Sequence, residues 1–355
     1  MTVPSTMQAV RLTAWGTEPQ LLSVPVPVPR AGELLLRVDA AGLCHSDLHV
    51  ADADEGVLPY RPPFTVGHEV AGTVVGVGPG VAPQWLGQPV GVFGVWSCGA
   101  CRRCRDGREN ACLRLSGPVG CGLGYDGGLA EFVLVPSERF LVKARGVAAE
   151  QLAPLTDAGL TAYHAVTANL DALGGEAAAV VVGVGGVGHL AIQVLRALSA
   201  ATVVAVDPRE EARSLARRCG AHVVLSGMEL LASSLPAEGG ADVVFDFVGS
   251  DPTLAAASAL LAPGGRLVVV GSAGGRLAAA KGRGLPLGWQ ISAPFWGRRC
   301  DLDAVVALAA RGALVAETET ATLGDVPELY RRLRRGEITG RAVVVPERGR
   351  AVSPT

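Results

Sequence analysis

Residues 177–207 read AAAVVVGVGGVGHLAIQVLRALSAATVVAVD, and this stretch decides the fold. Ala177–Val182 is a run of small and β-branched apolar residues, the composition of a strand buried on both faces. The turn Gly183-Val184-Gly185-Gly186-Val187-Gly188 follows at once, and Val187, Leu190, Ala191, Val194 and Leu198 then recur at helical spacing. A second strand, Val203–Val206, ends in Asp207, nineteen residues after Gly188. Strand, glycine turn, helix, strand and terminal acid stand in the order of a dinucleotide-binding βαβ unit. Gly183 permits the tight turn, Gly185 lets backbone amides approach a pyrophosphate, and Gly188 lets the helix pack closely on the strand. The helix N-terminus offers unpaired N–H groups and partial positive charge to the phosphates. Asp207 would accept hydrogen bonds from ribose hydroxyls and repel a 2′-phosphate, which predicts NAD rather than NADP. A glycine-rich turn without a ligand is the plainer alternative, and the complete order of elements speaks against it.

At 355 residues the chain has room for two domains. With 49% apolar and 18% charged residues it can build a large core, and a formal net charge of −2 without blocks of like charge argues against nucleic acid or an anionic membrane as partner. No apolar run reaches the length of a membrane span, and the first residues, MTVPSTMQAVRL, lack the apolar core of a signal peptide, so a soluble cytoplasmic protein is expected. Five of the eight cysteines crowd into Cys98–Cys121, which in a reducing compartment reads as metal binding rather than disulfides.

Outward from the βαβ unit, Glu33–Ala40, Val66–Val77 and Val90–Val95 read as strands separated by glycine-rich turns, so the first part is β-rich. Leu152–Asn169 reads as helical and leads into the βαβ unit. Buried strands at Val243–Val248 and Arg266–Gly271 flank a helix over Pro252–Leu261, which predicts a parallel sheet wound on both sides. A helix at Leu302–Ala310 and a last strand at Ala342–Val345 return to the first domain. Gly274–Gly284 reads as an alanine- and glycine-rich surface stretch. The expected division is residues 1–157 for the first part of a catalytic domain, with a metal lobe over about 94–115. Residues 158–297 form the cofactor domain, and 298–355 complete the catalytic domain.

Cys98-Gly-Ala-Cys101-Arg-Arg-Cys104, with Cys112 eight positions on, gives four thiols at spacings that let one loop wrap a tetrahedral ion. Four thiolates leave no open position, so such a zinc would be structural. An iron–sulfur cluster is the rival, but its usual fourth cysteine follows after three residues with a proline behind it, unlike Cys112. Cys44-His45-Ser46-Asp47-Leu48-His49 and Gly67-His68-Glu69 carry a second signal. Cys44 and His68 suit a catalytic zinc that keeps a position open, yet spacing alone nominates no third ligand.

These motifs, with Asp157-Ala-Gly-Leu-Thr161-Ala-Tyr163 and the glycine turn, make the chain similar to the zinc-dependent medium-chain alcohol dehydrogenases, closest to the bacterial secondary-alcohol enzymes. The resemblance runs from about Gln8 to Val345 and implies an α/β fold: a GroES-like β-rich catalytic domain plus a Rossmann domain with a doubly wound parallel sheet. It implies one catalytic and one structural zinc per chain, and NAD. Cys44 and His68 match the first two catalytic ligands, and Asp157 stands where the animal enzymes have cysteine. A Cys₂His set is the established one for alcohol dehydrogenases, so the ligand type comes with the resemblance and not from spacing. A carboxylate in the third place keeps the site's charge and lowers its softness. Glu69 resembles the glutamate beside the metal that exchanges with water, and Cys121 is an outside candidate ligand.

The resemblance also implies a proton relay from Ser46 through the nicotinamide ribose to His49, a residue type that titrates near neutrality. Arg209 is expected along the adenosine. Phe247-Val248-Gly249, Val270-Gly271 and Phe295-Trp296-Gly297 are expected at strand ends beside the nicotinamide. Tyr60 and Trp296 resemble pocket-wall positions that favour an apolar or aromatic substrate. The implied reaction is reversible hydride transfer between an alcohol and NAD, giving a ketone or aldehyde. A polyol dehydrogenase or a biosynthetic carbonyl or iminium reductase is the alternative. A zinc-free quinone reductase is disfavoured by the metal motifs, and a non-catalytic module by the intact Cys44, His68 and Ser46. The expected partners are a small alcohol or ketone and further copies of the chain, as a tetramer or dimer.

Overall fold

The computed structural model describes residues 3–231, 234–235, 239–278 and 284–347. The chain divides into two compact units, Met1–Asp157 with Leu302–Ala310 and Thr318–Thr355, and Ala158–Asp301 with Arg311–Glu317. The second unit therefore extends to Asp301 and regains a short return segment, while the helix Arg299–Ala310 carries the crossing.

The first unit is built on a seven-stranded sheet. Its central strand, Leu34–Gly42, is buried almost throughout. Glu69–Val77 runs antiparallel beside it, and Arg341–Val344 pairs antiparallel with its end. Gly42 thus lies opposite Glu69 on one side and Val343 on the other, so three distant segments meet at one strand end. Thr6–Leu12, Gln20–Pro25 and Phe64–Thr65 form a separate three-stranded sheet. The stretch read as one strand over 66–77 is broken before Glu69, so that Val66–His68 forms a loop. Prolines at 25, 27 and 29 end the second strand of the small sheet at Pro25, since proline cannot donate to a ladder.

The second unit holds a six-stranded sheet that is parallel throughout. Its order in space is Val223–Leu225, Thr202–Val206, Ala178–Val182, Ala241–Asp246, Leu261–Val269 and Gln290–Ser292. This is the 3-2-1-4-5-6 order of a Rossmann sheet, which places its switch point between Ala178–Val182 and Ala241–Asp246. All five residues of Ala178–Val182 are buried, as the uninterrupted apolar run requires. Val223–Leu225 and Gln290–Ser292 are only three residues each, too short to stand out from the sequence as strands. The stretch 274–284 lies partly outside the described residues. No helix of the described residues is long and apolar enough to cross a membrane.

Candidate functional site

The meeting point at Gly42 is where the first unit's buried polar groups collect. Cys44 caps the helix His45–Ala51, two residues past the strand end. His68 and Glu69 stand at the start of the paired strand, and Arg341 opens the strand on the other side. Asp157 arrives from a different kind of element. The helix Ala149–Pro154 passes into a π-turn, Leu155–Gly159, before α-helix resumes at Leu160–Thr167. One widened turn re-aims a side chain without ending the helix, and such turns concentrate at functional sites.

Cys44, His68, Glu69 and Asp157 each bring a ligand atom within 4.8 Å of the others, and all four residues are buried. Asp157 Oδ2 lies 3.7 Å from Cys44 Sγ and 3.4 Å from His68 Nε2. Tetrahedral zinc with ordinary bond lengths has S–O and N–O edges of about 3.5 and 3.4 Å. The donor set and its spacing therefore fit that ion. Asp47, which the sequence alone does not single out, aligns two of the ligands. Its carboxylate accepts the Cys44 backbone N–H at 3.0 Å and faces His68 Nδ1 at 3.0 Å. Opposite a carboxylate, Nδ1 carries the proton, which leaves the Nε2 lone pair for a metal.

Glu69 is fully buried and gripped by Arg341, whose Nε lies 3.1 and 3.2 Å from its two carboxylate oxygens while Nη2 bonds Oε1 closely. Arg341 Nη2 also reaches Cys44 Sγ at 3.4 Å and Asp157 Oδ2 at 3.5 Å. Burial pushes the Glu69 carboxyl up to about 8 against the pull of Arg341. Burial also opposes the charge on Asp157, but its hydrogen bond to His68 and the charges of His68 and Arg341 outweigh that and hold it down at about 2. The Cys44 sulfur lies 3.6 Å from Ser46 Oγ, and Ser46 and His49 are exposed and one helical turn apart. Tyr60 packs between Trp15, at a tilt, and Phe64, edge-on, with ring centroids at 6.2 and 5.7 Å. Burial raises its hydroxyl to about 12, and the charges of His68 and Asp47 act on it.

The second cluster lies on the lobe with the short helix Arg102–Arg105. Sγ–Sγ distances are 3.9 Å for Cys98–Cys104, 3.5 Å for Cys101–Cys104 and 3.9 Å for Cys101–Cys112. Four thiolates on one zinc have edges of about 3.8 Å, so this set also fits. Backbone N–H groups of Ala100 and Cys101 point at Cys98 Sγ, and those of Cys98 and Arg114 at Cys112 Sγ, as thiolates require. Cys121 is not in either set. Its sulfur is buried against the Gly67 and Asp126 carbonyls, and burial pushes its thiol up to about 12.

In the second unit the glycine turn follows the strand at the switch point. Gly183 has φ +85, and a Cβ on Gly188 would lie 1.9 Å from the Gly183 carbonyl oxygen, so both positions need glycine. A Cβ on Gly185 would meet nothing within 4 Å: the turn faces open space there, as a cradle for a pyrophosphate must. Gly186 and Val187 complete the turn, and Val187 is the N-cap of the helix Gly188–Leu198. Asp207 closes the second strand, with Arg209 at the N-cap of Glu210–Arg218. Phe247 and Val270 follow the fourth and fifth strands, and their loops are tied together by Asp246, a second residue that sequence alone does not single out. Its fully buried carboxylate accepts the N–H groups of Val248 and Gly249 and the Thr253 hydroxyl, while its carbonyl accepts from Val270 and Gly271. Trp296 is buried with a left-handed φ of +53 and packs edge-on against Phe295.

Known proteins give the same picture. Residues 30–146 match the family described as alcohol dehydrogenase GroES-like domain, and residues 186–311 match the zinc-binding dehydrogenase family. An NAD-dependent alcohol dehydrogenase of Sulfurisphaera tokodaii is 35% identical over 96% of this chain and all of its own. The crystal structure of the alcohol dehydrogenase of the archaeon Aeropyrum pernix superposes with a TM-score of 0.88 at 34% identity, covering 96% of this chain and 100% of that one. Acetophenone reductase of Geotrichum candidum, solved with NAD, superposes with a TM-score of 0.86 at 33% identity, covering 97% and 98%.

Proposed function

The chain belongs to the zinc-dependent medium-chain alcohol dehydrogenase family, and on that premise we propose that it moves hydride reversibly between NAD and a secondary or aromatic, apolar alcohol. The observation that carries this reading is the shared Asp157 oxygen, set at zinc-edge distances from both Cys44 and His68. Cys44, His68 and Asp157 would hold the catalytic ion, with Glu69 beside it, and Cys98, Cys101, Cys104 and Cys112 the structural one. When bound, the catalytic zinc supplies Lewis acidity, which eases loss of the substrate's hydroxyl proton and polarises the product carbonyl. Ser46 Oγ, 3.6 Å from Cys44 Sγ, takes up that proton as it passes its own on through the nicotinamide ribose hydroxyl to His49, which is exposed and hands a proton to solvent. Gly183, Gly185, Gly186, Val187 and Gly188 receive the pyrophosphate, and Asp207 and Arg209 the adenosine ribose. Phe247, Val270 and Trp296 flank the nicotinamide.

Tyr60, packed with Trp15 and Phe64, supports an apolar or aromatic substrate over a polyol, whose hydroxyls would need polar partners. We place the protein in the cytoplasm on the strength of its thiolate metal sites and eight free cysteines. A homotetramer is supported by the edge strand Gln290–Ser292, where Leu287 and Ile291 are exposed. NAD reduction across secondary, aromatic, primary and polyol alcohols, together with metal analysis, tests the reading. Two zinc ions per chain and turnover of apolar secondary alcohols are expected. Turnover confined to polyols would refute the substrate class, and activity surviving zinc removal would refute the mechanism.

A further inference from the structure

An acid at the end of the second Rossmann strand ordinarily keeps its oxygens for ribose hydroxyls and turns away a 2′-phosphate by charge. Asp207 occupies that position, but its carboxylate is already engaged. Oδ2 accepts the Val184 backbone N–H at 2.9 Å and Arg209 Nη2 at 3.0 Å. Oδ1 accepts Arg209 N at 3.0 Å and Nε at 3.1 Å. A carboxylate has about four lone-pair sites, and four donors are in place. A second guanidinium lies close by: Arg213 Nη1 donates to the Asp207 and Pro208 carbonyls at 3.0 and 2.6 Å.

The charge that should repel a 2′-phosphate is therefore matched by the guanidinium clamped on it. A ribose hydroxyl can reach Asp207 only if that guanidinium moves aside. It is able to move, because the Arg209 side chain is 40% exposed while the Asp207 side chain is 4% exposed. The backbone N–H groups of Val184 and Arg209 keep the carboxylate in place when the side chain leaves. The swing that frees Asp207 for NAD presents a planar two-pronged cation beside the ribose, and that shape matches phosphate oxygens.

We propose that Arg209 is a specificity-determining residue that admits NADP as a second cofactor beside NAD. This rests on the dinucleotide reading above and refines it: Asp207 favours the free 2′-hydroxyl, and Arg209 compensates when a phosphate replaces it.

The test is a binding titration on the full-length, zinc-replete protein, following quenching of tryptophan fluorescence by NADH and by NADPH, alongside rates with both oxidised cofactors. The unaltered protein should bind both, with NADPH weaker by less than about 100-fold. In Arg209→Ala the NADPH-to-NADH ratio of dissociation constants should rise by at least about tenfold, the effect of losing a charge-assisted phosphate contact. Arg209→Lys, which keeps the charge and loses the fork, should fall between the two. No NADPH binding to the unaltered protein at about 1,000 times the NADH dissociation constant would overturn the proposal, as would an unchanged ratio in both variants. Failure of NADH itself to bind would instead remove the dinucleotide reading on which the proposal stands.

Discussion

Replacing Asp47 by asparagine changes one atom type and should disarm the catalytic metal centre. Asp47 Oδ2 accepts the Cys44 N–H and Oδ1 faces His68 Nδ1, each at 3.0 Å, in a site where Asp47 and His68 are 1% and 2% exposed. An amide can still accept from Cys44 through its oxygen. Its nitrogen then turns two hydrogens toward Nδ1, which must give up its proton and accept. The imidazole proton moves to Nε2, the atom that should face the metal 3.4 Å from Asp157 Oδ2. Binding zinc then requires either the less favourable tautomer or a rotated amide that leaves the buried Cys44 N–H unsatisfied. Loss of such a ligand-orienting partner lowers metal affinity by about 10- to 100-fold, roughly 1.4–2.7 kcal/mol. Competition with a chromogenic chelator reads this directly. Asp47→Asn should lose its catalytic zinc at about 10- to 100-fold lower chelator strength, while the four-cysteine zinc stays bound (about one ion per chain at the end point). Unaltered affinity at both sites, with normal turnover, would refute the orienting role.

Ser46→Ala should lower kcat by about 10²- to 10⁴-fold while zinc content and NADH binding stay unchanged, which stopped-flow turnover beside metal analysis would show. Cys101→Ser should leave one zinc per chain and lower Tm on the order of 5–10 °C by calorimetry, because a closed structural site contributes to folding. Asp301 is buried, which opposes its charge, but bonds to His164 and Arg298 hold its carboxyl well below the usual range. Its folded pKa is depressed, so its stabilising contribution is complete above about pH 4–5 and disappears as pH falls through the acid range. Denaturant melts of Asp301→Asn should therefore fall below the unaltered protein at about pH 7, with the gap narrowing progressively as pH drops below about 4; a constant gap would count against this.

Local signals in the sequence were enough for the four inner strands of the cofactor unit, though not for its two edge strands. Ala178–Val182 is buried on both faces, and an uninterrupted apolar run is the only pattern such a strand can have. The four-cysteine lobe was equally plain, because its ligands all lie within one loop. The catalytic cluster was not legible in that way. Nothing near Cys44 points to Arg341, 297 positions away, because strand pairing at Gly42 brings them together. Asp157 owes its aim to a π-turn, and the helical pattern of 152–169 shows no break there. Asp47 was hidden differently: an acid three residues past a helix cap reads as capping, and here it does cap Cys44 while also orienting His68. Asp246 looks like the polar end of a strand until its three side-chain partners are seen.

The same geometry explains why this cluster needs an ion. Asp47, Glu69 and Asp157 bring three carboxyl groups together beside the Cys44 sulfur, and Arg341 is a buried cation among them. Its Nε and Nη2 grip Glu69, and the same Nη2 makes longer contacts of 3.4 and 3.5 Å to Cys44 and Asp157. His68 faces these groups from the same cluster. Burial alone would lower its pKa, yet the charge of Asp47 and the bonds to Asp157, Asp47 and Cys44 raise it well above the ordinary value. Cys44, His68 and Asp157 would hold zinc through one thiol sulfur, one imidazole nitrogen and one carboxylate oxygen, and the ion would supply Lewis acidity there. The grip of Arg341 on Glu69 supports the proposal that Cys44, His68 and Asp157 would be the ligands with Glu69 beside them, a three-ligand set of the kind a catalytic zinc uses.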